Sequence, residues 1–337
     1  MNRPSAHILI IHVCRIGDTL LGTPAIRAIA DRFPTAEITF LGHPKRMELL
    51  RHLSFVHHLG GITKKTAPFL GRIPGKRFDY AIVDGFDTAL VRYALRVAHK
   101  VVAFRQNDES LNRRLHIAVA HPGCGDITAV DLHLLLSEAL GAKAVSRALS
   151  YQVSGDEAVA IDTLLAQTKL NNSRPLIGMV IESFPTKPYR DWPLERFIEL
   201  AKAILEHNPA AHFALLGGQI SPAKLLQLQH ALHNRFVSFA GKLTLRQSAA
   251  LIARLDLYIG VDTGPTHLAG ALQVPMVALY HCMHPAWQLA PLEHPALAVI
   301  QQEPPASGKS AQYSLGSIGV EQVLPKALAL LAQDNRA

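Results

Sequence analysis

The chain has 337 residues, 49% hydrophobic and 18% charged, which is enough apolar material for two packed α/β cores. No apolar run approaches the ~20 residues that cross a bilayer as a helix, and three scattered cysteines without a CxxC pair suggest neither a disulfide framework nor a zinc site. The net charge of +8 lies in the first half, where residues 1–150 carry 20 Lys/Arg against 12 Asp/Glu while the rest carries 14 of each.

The N-terminus leads directly into a strand-like run, His7–Val13, without the apolar region and small-residue cleavage site of a signal peptide, so a cytoplasmic location is expected. Thr23-Pro24 reads as an N-cap with proline at the first helical position, followed by the apolar face of Ala25, Ile26, Ile29, Ala30 and Phe33. Strands are predicted at Ile38–Leu41, Tyr80–Val83 and Val101–Phe104, with helices at Thr88–Ala98 and Val130–Leu140. Past Gly141 the pattern loosens, apart from a helix near Glu157–Leu170. A second series follows: strands at Leu176–Ile181, Phe213–Leu216, Phe236–Phe239, Leu257–Val261 and Met276–Tyr280. Helices at Leu194–Glu206, Ala223–His233, Leu245–Arg254 and Pro265–Leu272 alternate with them, and Val320–Ala332 closes the chain.

Strands alternating with helices of this length imply parallel sheets covered on both faces. The expected fold class is therefore α/β, with two Rossmann-like parallel-sheet domains facing an inter-domain cleft. The expected division is residues 1–160, residues 161–318 and a C-terminal helix in residues 319–337. In such sheets ligands sit outside the carboxyl ends of the strands, so the loops that follow strands are the places for chemistry.

Three loops carry suitable residues. The first, Cys14 to Pro24, lacks the GxGxxG of a dinucleotide site and holds Asp18 instead. A carboxylate there either takes a proton from an acceptor hydroxyl or hydrogen-bonds backbone amides of its own turn. The second, Gly260 to His267, joins a strand to a short helix. Its free N-terminal amides, with Thr263, Gly264, Thr266 and His267, suit an anion, while Asp262 suits orienting the loop. It can equally be an ordinary helix start with a core-facing histidine. The third, Glu182 to Pro193, offers Lys187 and Arg190 either as ligands of a diphosphate or as a solvated basic turn. His281-x-x-His284 has metal-pair spacing but no third ligand at suitable spacing, so no metal and no cofactor are expected.

The basic first half favours an anionic partner, with a solubilising surface charge as the plain alternative. Aromatics make up only 6% and do not interleave with the cations, and no nucleic-acid-binding module is recognisable, so nucleic acid is not expected.

Taken together, the three loops resemble glycosyltransferase family 9, the ADP-heptose:lipopolysaccharide heptosyltransferases. The resemblance spans nearly the whole chain, from Ile8-Leu9-Ile10 and Ile16-Gly17-Asp18-Thr19-Leu20 to the terminal helix. Its most specific piece is Val261-Asp262-Thr263-Gly264-Pro265-Thr266-His267-Leu268-Ala269, supported by Arg190-Asp191-Trp192-Pro193. It implies a GT-B architecture with an N-terminal acceptor domain and a C-terminal nucleotide-sugar domain. The implied enzyme is inverting and metal-independent, moving heptose from ADP-heptose to an anionic lipopolysaccharide inner-core acceptor at the cytoplasmic face of the inner membrane, in peripheral contact with it. Carried over, Asp18 is the general base and Thr263, Gly264 and His267 hold the diphosphate. Arg190 neutralises that group, competing with Lys187 for the role, and Thr186 assists. The chain departs from the family near Asp131-Leu132-His133, where a glutamate is usual, and at His281-Cys282-Met283-His284-Pro285, where a Gly-Pro-Thr-type turn is usual. The alternatives are a GT-B enzyme acting on another nucleotide sugar and a non-catalytic relative that binds an anionic glycolipid.

Overall fold

The computed structural model describes residues 6–71, 75–123, 125–183, 185–306 and 308–333. The chain divides into two compact units, 1–152 and 153–337. In chain order the first unit comprises β1 (His7–His12), α1 (Ile16–Leu21), α2 (Thr23–Arg32), β2 (Glu37–Gly42) and β3 (His58–Gly61). It continues with β4 (Phe78–Val83), α3 (Thr88–Val97), β5 (Ala98–Phe104), α4 (Glu109–Asn112), β6 (Ile117–Val119) and α5 (Ala129–Glu138). The second unit opens with α6 (Gly155–Gln167), β7 (Leu176–Val180), α7 (Leu194–His207), β8 (His212–Leu215), α8 (Pro222–Leu232) and β9 (Phe236–Ser238). It continues with α9 (Leu245–Ile252), β10 (Leu257–Val261), α10 (Gly264–Ala271), β11 (Met276–Tyr280), α11 (Ala286–Leu289), β12 (Leu297–Gln301) and α12 (Val320–Ala332).

Each unit holds one six-stranded parallel sheet, in the orders β3-β2-β1-β4-β5-β6 and β12-β11-β10-β7-β8-β9. Both orders are the doubly wound Rossmann arrangement, in which the chain returns to the middle of the sheet and continues on the other side. The switch lies between β1 and β4 in the first unit and between β7 and β10 in the second. Burial on both faces explains why the central strands read as continuous apolar runs. Every residue of β7, β10 and β11 is buried, as are five of the six in β1. Leu9 and Ile11 of β1 pack with Val83, Leu90, Val91 and Ala94 on one face of the first sheet.

The sheet-edge strands β3, β6 and β12 fall outside the strands expected from sequence. β3 and β6 have only four and three residues, and none of the three is deeply buried, so their apolar signal is weak. A second departure is α1, a short helix running through what reads as a loop. Thr23 is accordingly the first residue of α2 and not its cap; Gly22 takes the cap position. The Thr23 hydroxyl donates to Leu20 O at 2.6 Å and accepts from Ser150 N at 3.0 Å.

The division between units precedes α6 and does not fall within it at residue 160. Ser154 and Glu157 form a capping box at the start of α6, and Glu157 pairs with Arg246 of α9, which ties the whole helix to the second unit. The terminal helix α12 packs on that unit too, burying Val323, Ala327 and Leu330 in its core. Among the described residues no helix is long and apolar enough to cross a membrane.

Candidate active site

In the second unit the residues of interest lie at the carboxyl ends of β7, β10 and β11. Asp262 follows β10, and Thr263 is the N-cap of α10 with extended backbone (φ −148°, ψ 176°). The Thr263 and Thr266 hydroxyls both turn back to Val261 O, so they brace the turn. The backbone N–H groups of Thr263 and Gly264 have no partner among the described residues, and they present positive dipole ends at this edge.

Asp262 is buried between two partners. The Arg190 guanidinium donates from Nη2 to Oδ2 and to the Asp262 carbonyl, while His267 Nε2 lies 3.4 Å from Oδ1. Burial opposes the charge on Asp262, but the His267 contact and the His267 and Arg190 charges outweigh it and hold the carboxyl below its ordinary value. His267 Nδ1 is buried with no partner among the described residues. Arg190, expected to meet an anion directly, is buried and uses Nη2 on Asp262, while its Nε has no partner among the described residues.

Lys187 is placed differently. It is half-buried, and its Nζ makes no hydrogen bond or ion pair among the described residues. The segment that presents it is well anchored. Ser183 Oγ donates to Lys187 O at 2.9 Å, Asp191 Oδ1 accepts from Ser183 N, and Trp192 is buried with its Nε1 donating to Ile318 O at 2.8 Å. That anchor is the physical content of the Trp-Pro pair two residues after Arg190. Thr186 is exposed on the same segment.

Sequence reasoning missed the companions of this cluster. Tyr189 Oη and His284 Nε2 are 3.1 Å apart with their rings stacked, and His281 Nε2 bonds Tyr313 O at 2.7 Å. The two histidines that looked like a metal pair are therefore turned to different oxygens. Burial, with the Arg190 and Lys187 charges beside it, lowers the His284 imidazole to about 4, so it is neutral near pH 7.

In the first unit, Asp18 sits in the first turn of α1, half-buried. Its carboxylate makes no hydrogen bond among the described residues. Beside it, burial pushes the Cys14 thiol upward, away from the thiolate form.

Behind α1 lies a buried cluster with no counterpart in the sequence reading. The parallel register of β1 and β4 sets His12 beside Asp84, whose N–H bonds Ile11 O. His133 of α5 closes on Asp84 with Nδ1 2.6 Å from Oδ2, and its ring centroid is 4.9 Å from that of His12. Gly22 lets the α1–α2 junction rest on this cluster, since a Cβ there would lie 3.2 Å from His12 Nδ1. Burial disfavours the Asp84 charge, yet His12 and His133 outweigh it and bring the carboxyl down to about 2. Burial lowers His12, whereas Asp84 raises His133 against the same penalty.

A depressed carboxyl stabilises the fold above its unfolded value, and the effect is lost as pH falls through the folded one. The first unit is expected to lose about 2 kcal/mol between pH 4 and 2 from Asp84 alone. Denaturant midpoints measured from pH 6 to 2 should show that decline in the wild type and a flatter profile in Asp84→Asn, which is less stable at pH 6.

Two doubly wound units in one chain, with loops of this character at the carboxyl edges, make up the GT-B architecture of glycosyltransferases. The family profile described as glycosyltransferase family 9 (heptosyltransferase) matches residues 72–318, and the chain belongs to that family. Lipopolysaccharide heptosyltransferase 2 of Escherichia coli is 26% identical, covering 97% of this chain and 99% of the relative. Among solved structures, a family 9 glycosyltransferase from Veillonella parvula superposes with a TM-score of 0.81 at 20% identity, covering 98% of both chains. The E. coli ADP-heptose LPS heptosyltransferase II gives 0.79 at 23% identity, covering 97% of this chain and 99% of the other.

Proposed function

We propose that this enzyme transfers a heptose from ADP-heptose to an anionic lipopolysaccharide inner-core acceptor, with inversion at the anomeric carbon and without a metal ion. The first unit takes the acceptor and the second the donor. The observation that carries the reading is the pairing of unpartnered Thr263 and Gly264 amides with an unpaired Lys187 ammonium on one carboxyl edge. Such an edge suits a diphosphate and stabilises the charge that grows on it as the sugar leaves. The heptose and the lipopolysaccharide core come from the relatives, which are heptosyltransferases acting in that setting.

In this mechanism Asp18 accepts the proton of an acceptor hydroxyl while that oxygen attacks C1 on the face opposite the diphosphate. The C1–O bond breaks and ADP departs, so a single displacement inverts the centre. Lys187 meets the diphosphate, and Arg190 acts one step back by fixing Asp262 and, through it, His267. Thr186 lines the approach. The basic first half draws in a phosphorylated, acidic glycolipid and brings the enzyme to the cytoplasmic face of the inner membrane.

The test is direct. Purified enzyme, ADP-heptose and a lipopolysaccharide-core acceptor should release ADP and add one heptose to the acceptor by mass. Release of nucleotide from a different nucleotide sugar, with none from ADP-heptose, would sink the donor assignment. Lys187→Ala is expected to weaken ADP binding ~10-fold or more, the value of a hydrogen bond to a charged group, while the melting temperature stays unchanged. Unaltered ADP affinity in that variant would remove Lys187 from the donor site.

A further inference from the structure

Three aromatic rings gather at the carboxyl edge of the first sheet, one from each of three neighbouring strands. Phe86 follows β4, Phe104 ends β5 and His121 follows β6. The Phe86 and Phe104 rings stack at 5.6 Å with a 22° interplanar angle, and His121 meets both edge-on, at 5.1 and 5.3 Å. Phe104 is buried, but Phe86 is 55% exposed. An apolar ring held half in water forgoes the free energy that burial would give it.

The surrounding chain holds that ring in place. Gly85 adopts φ +142°, a conformation side chains disfavour, to turn the loop outward. Gln106, itself buried, donates from Nε2 to Phe104 O at 2.7 Å and to Gly85 O at 3.5 Å, and Asn112 Oδ1 accepts from Gln106 N at 2.8 Å. His121 Nδ1 accepts from Gly123 N at 3.1 Å, so the neutral imidazole carries its proton on Nε2 and keeps a donor there. β4 pairs with β1, so the loop bearing Phe86 is the immediate neighbour of the segment bearing Asp18 along one edge.

An exposed ring face with a hydrogen-bond donor at its margin matches a pyranose, which has C–H groups on one face and hydroxyls around the rim. An acyl chain has no use for the donor, and the one-strand offset from Asp18 suits the ring whose hydroxyl is deprotonated or the sugar next to it. We infer that Phe86, backed by Phe104 and edged by His121, is the surface on which a sugar ring of the acceptor stacks. The inference rests on the reading of the first unit as the acceptor half and names the contact that selects the acceptor.

The experiment measures binding of lipid-free core oligosaccharide to the full chain without donor, by calorimetry, for the wild type, Phe86→Ala and Phe86→Tyr. The alanine variant is expected to bind at least tenfold more weakly at an unchanged melting temperature, and the tyrosine variant to bind like the wild type. In steady state the alanine variant raises the KM for acceptor and leaves ADP affinity alone. Equal oligosaccharide affinity in all three proteins overturns the inference while leaving sugar transfer standing, and so does the absence of oligosaccharide binding to a wild type that transfers heptose. Phe86-dependent binding to anionic lipid vesicles that carry no sugar overturns it in favour of a membrane contact. Phe86-dependent oligosaccharide binding by a protein that ADP-heptose neither stabilises nor reacts with upholds the sugar surface and sinks the transfer reading instead.

Discussion

Asp18→Asn is expected to lower heptosyl transfer by ~10²-fold or more, the range that a positioned general base contributes, with ADP-heptose affinity unchanged. The substitution keeps the shape of the side chain and removes only its capacity to take a proton. Because the carboxylate makes no hydrogen bond among the described residues, its loss breaks no contact of the native fold, and the melting temperature should hold. Single-turnover rates with saturating acceptor separate chemistry from binding. Transfer within a few-fold of the wild type would remove Asp18 from the role. A fall in rate accompanied by an equal fall in stability would mean that the residue braces α1 and does no more.

Arg190→Ala is expected to act first on stability. Its guanidinium is buried against Asp262, and taking away one partner of a buried pair leaves an uncompensated charge, at a cost of about 3 kcal/mol or more. For a unit of this size that lowers the melting temperature by roughly 10 °C. Donor affinity falls as well, because Asp262 and His267 lose the anchor that aligns the start of α10. The double variant Arg190→Ala, Asp262→Ala removes both charges and should recover part of the stability without recovering transfer; such non-additivity is the mark of a direct pair. If Arg190→Ala melts like the wild type and loses only donor affinity, Arg190 meets the diphosphate itself and the division of labour with Lys187 is reversed.

The central strands were legible in the sequence because both of their faces are buried. β10 and β11 coincide with the predicted runs for that reason. The loops after β1, β7 and β10 were legible as loops at the carboxyl ends of strands because residues such as Asp18, Lys187 and Asp262 interrupt or follow apolar runs. What each polar group does there was less legible. Nothing in the spacing of Arg190 and Asp262 shows that two residues 72 positions apart neutralise one another, and only the pairing of β7 with β10 brings their loops together. The same holds for His12, Asp84 and His133, which come from two strands and a helix and meet through register. Phe86 was hidden because an exposed phenylalanine after a strand has the same letters around it as a buried one.

The position of α12 has a consequence for the order in which the chain becomes functional. The first unit has every strand and helix it needs by residue 152, whereas the second lacks one wall of its core until Val323, Ala327 and Leu330 arrive. Domains fold as units during synthesis, the N-terminal one first. On a ribosome, the half carrying Asp18 can therefore complete itself while translation continues. The half carrying Lys187 and the start of α10 must wait until α12 has been made and can pack, so the two halves become structurally complete in sequence and not together.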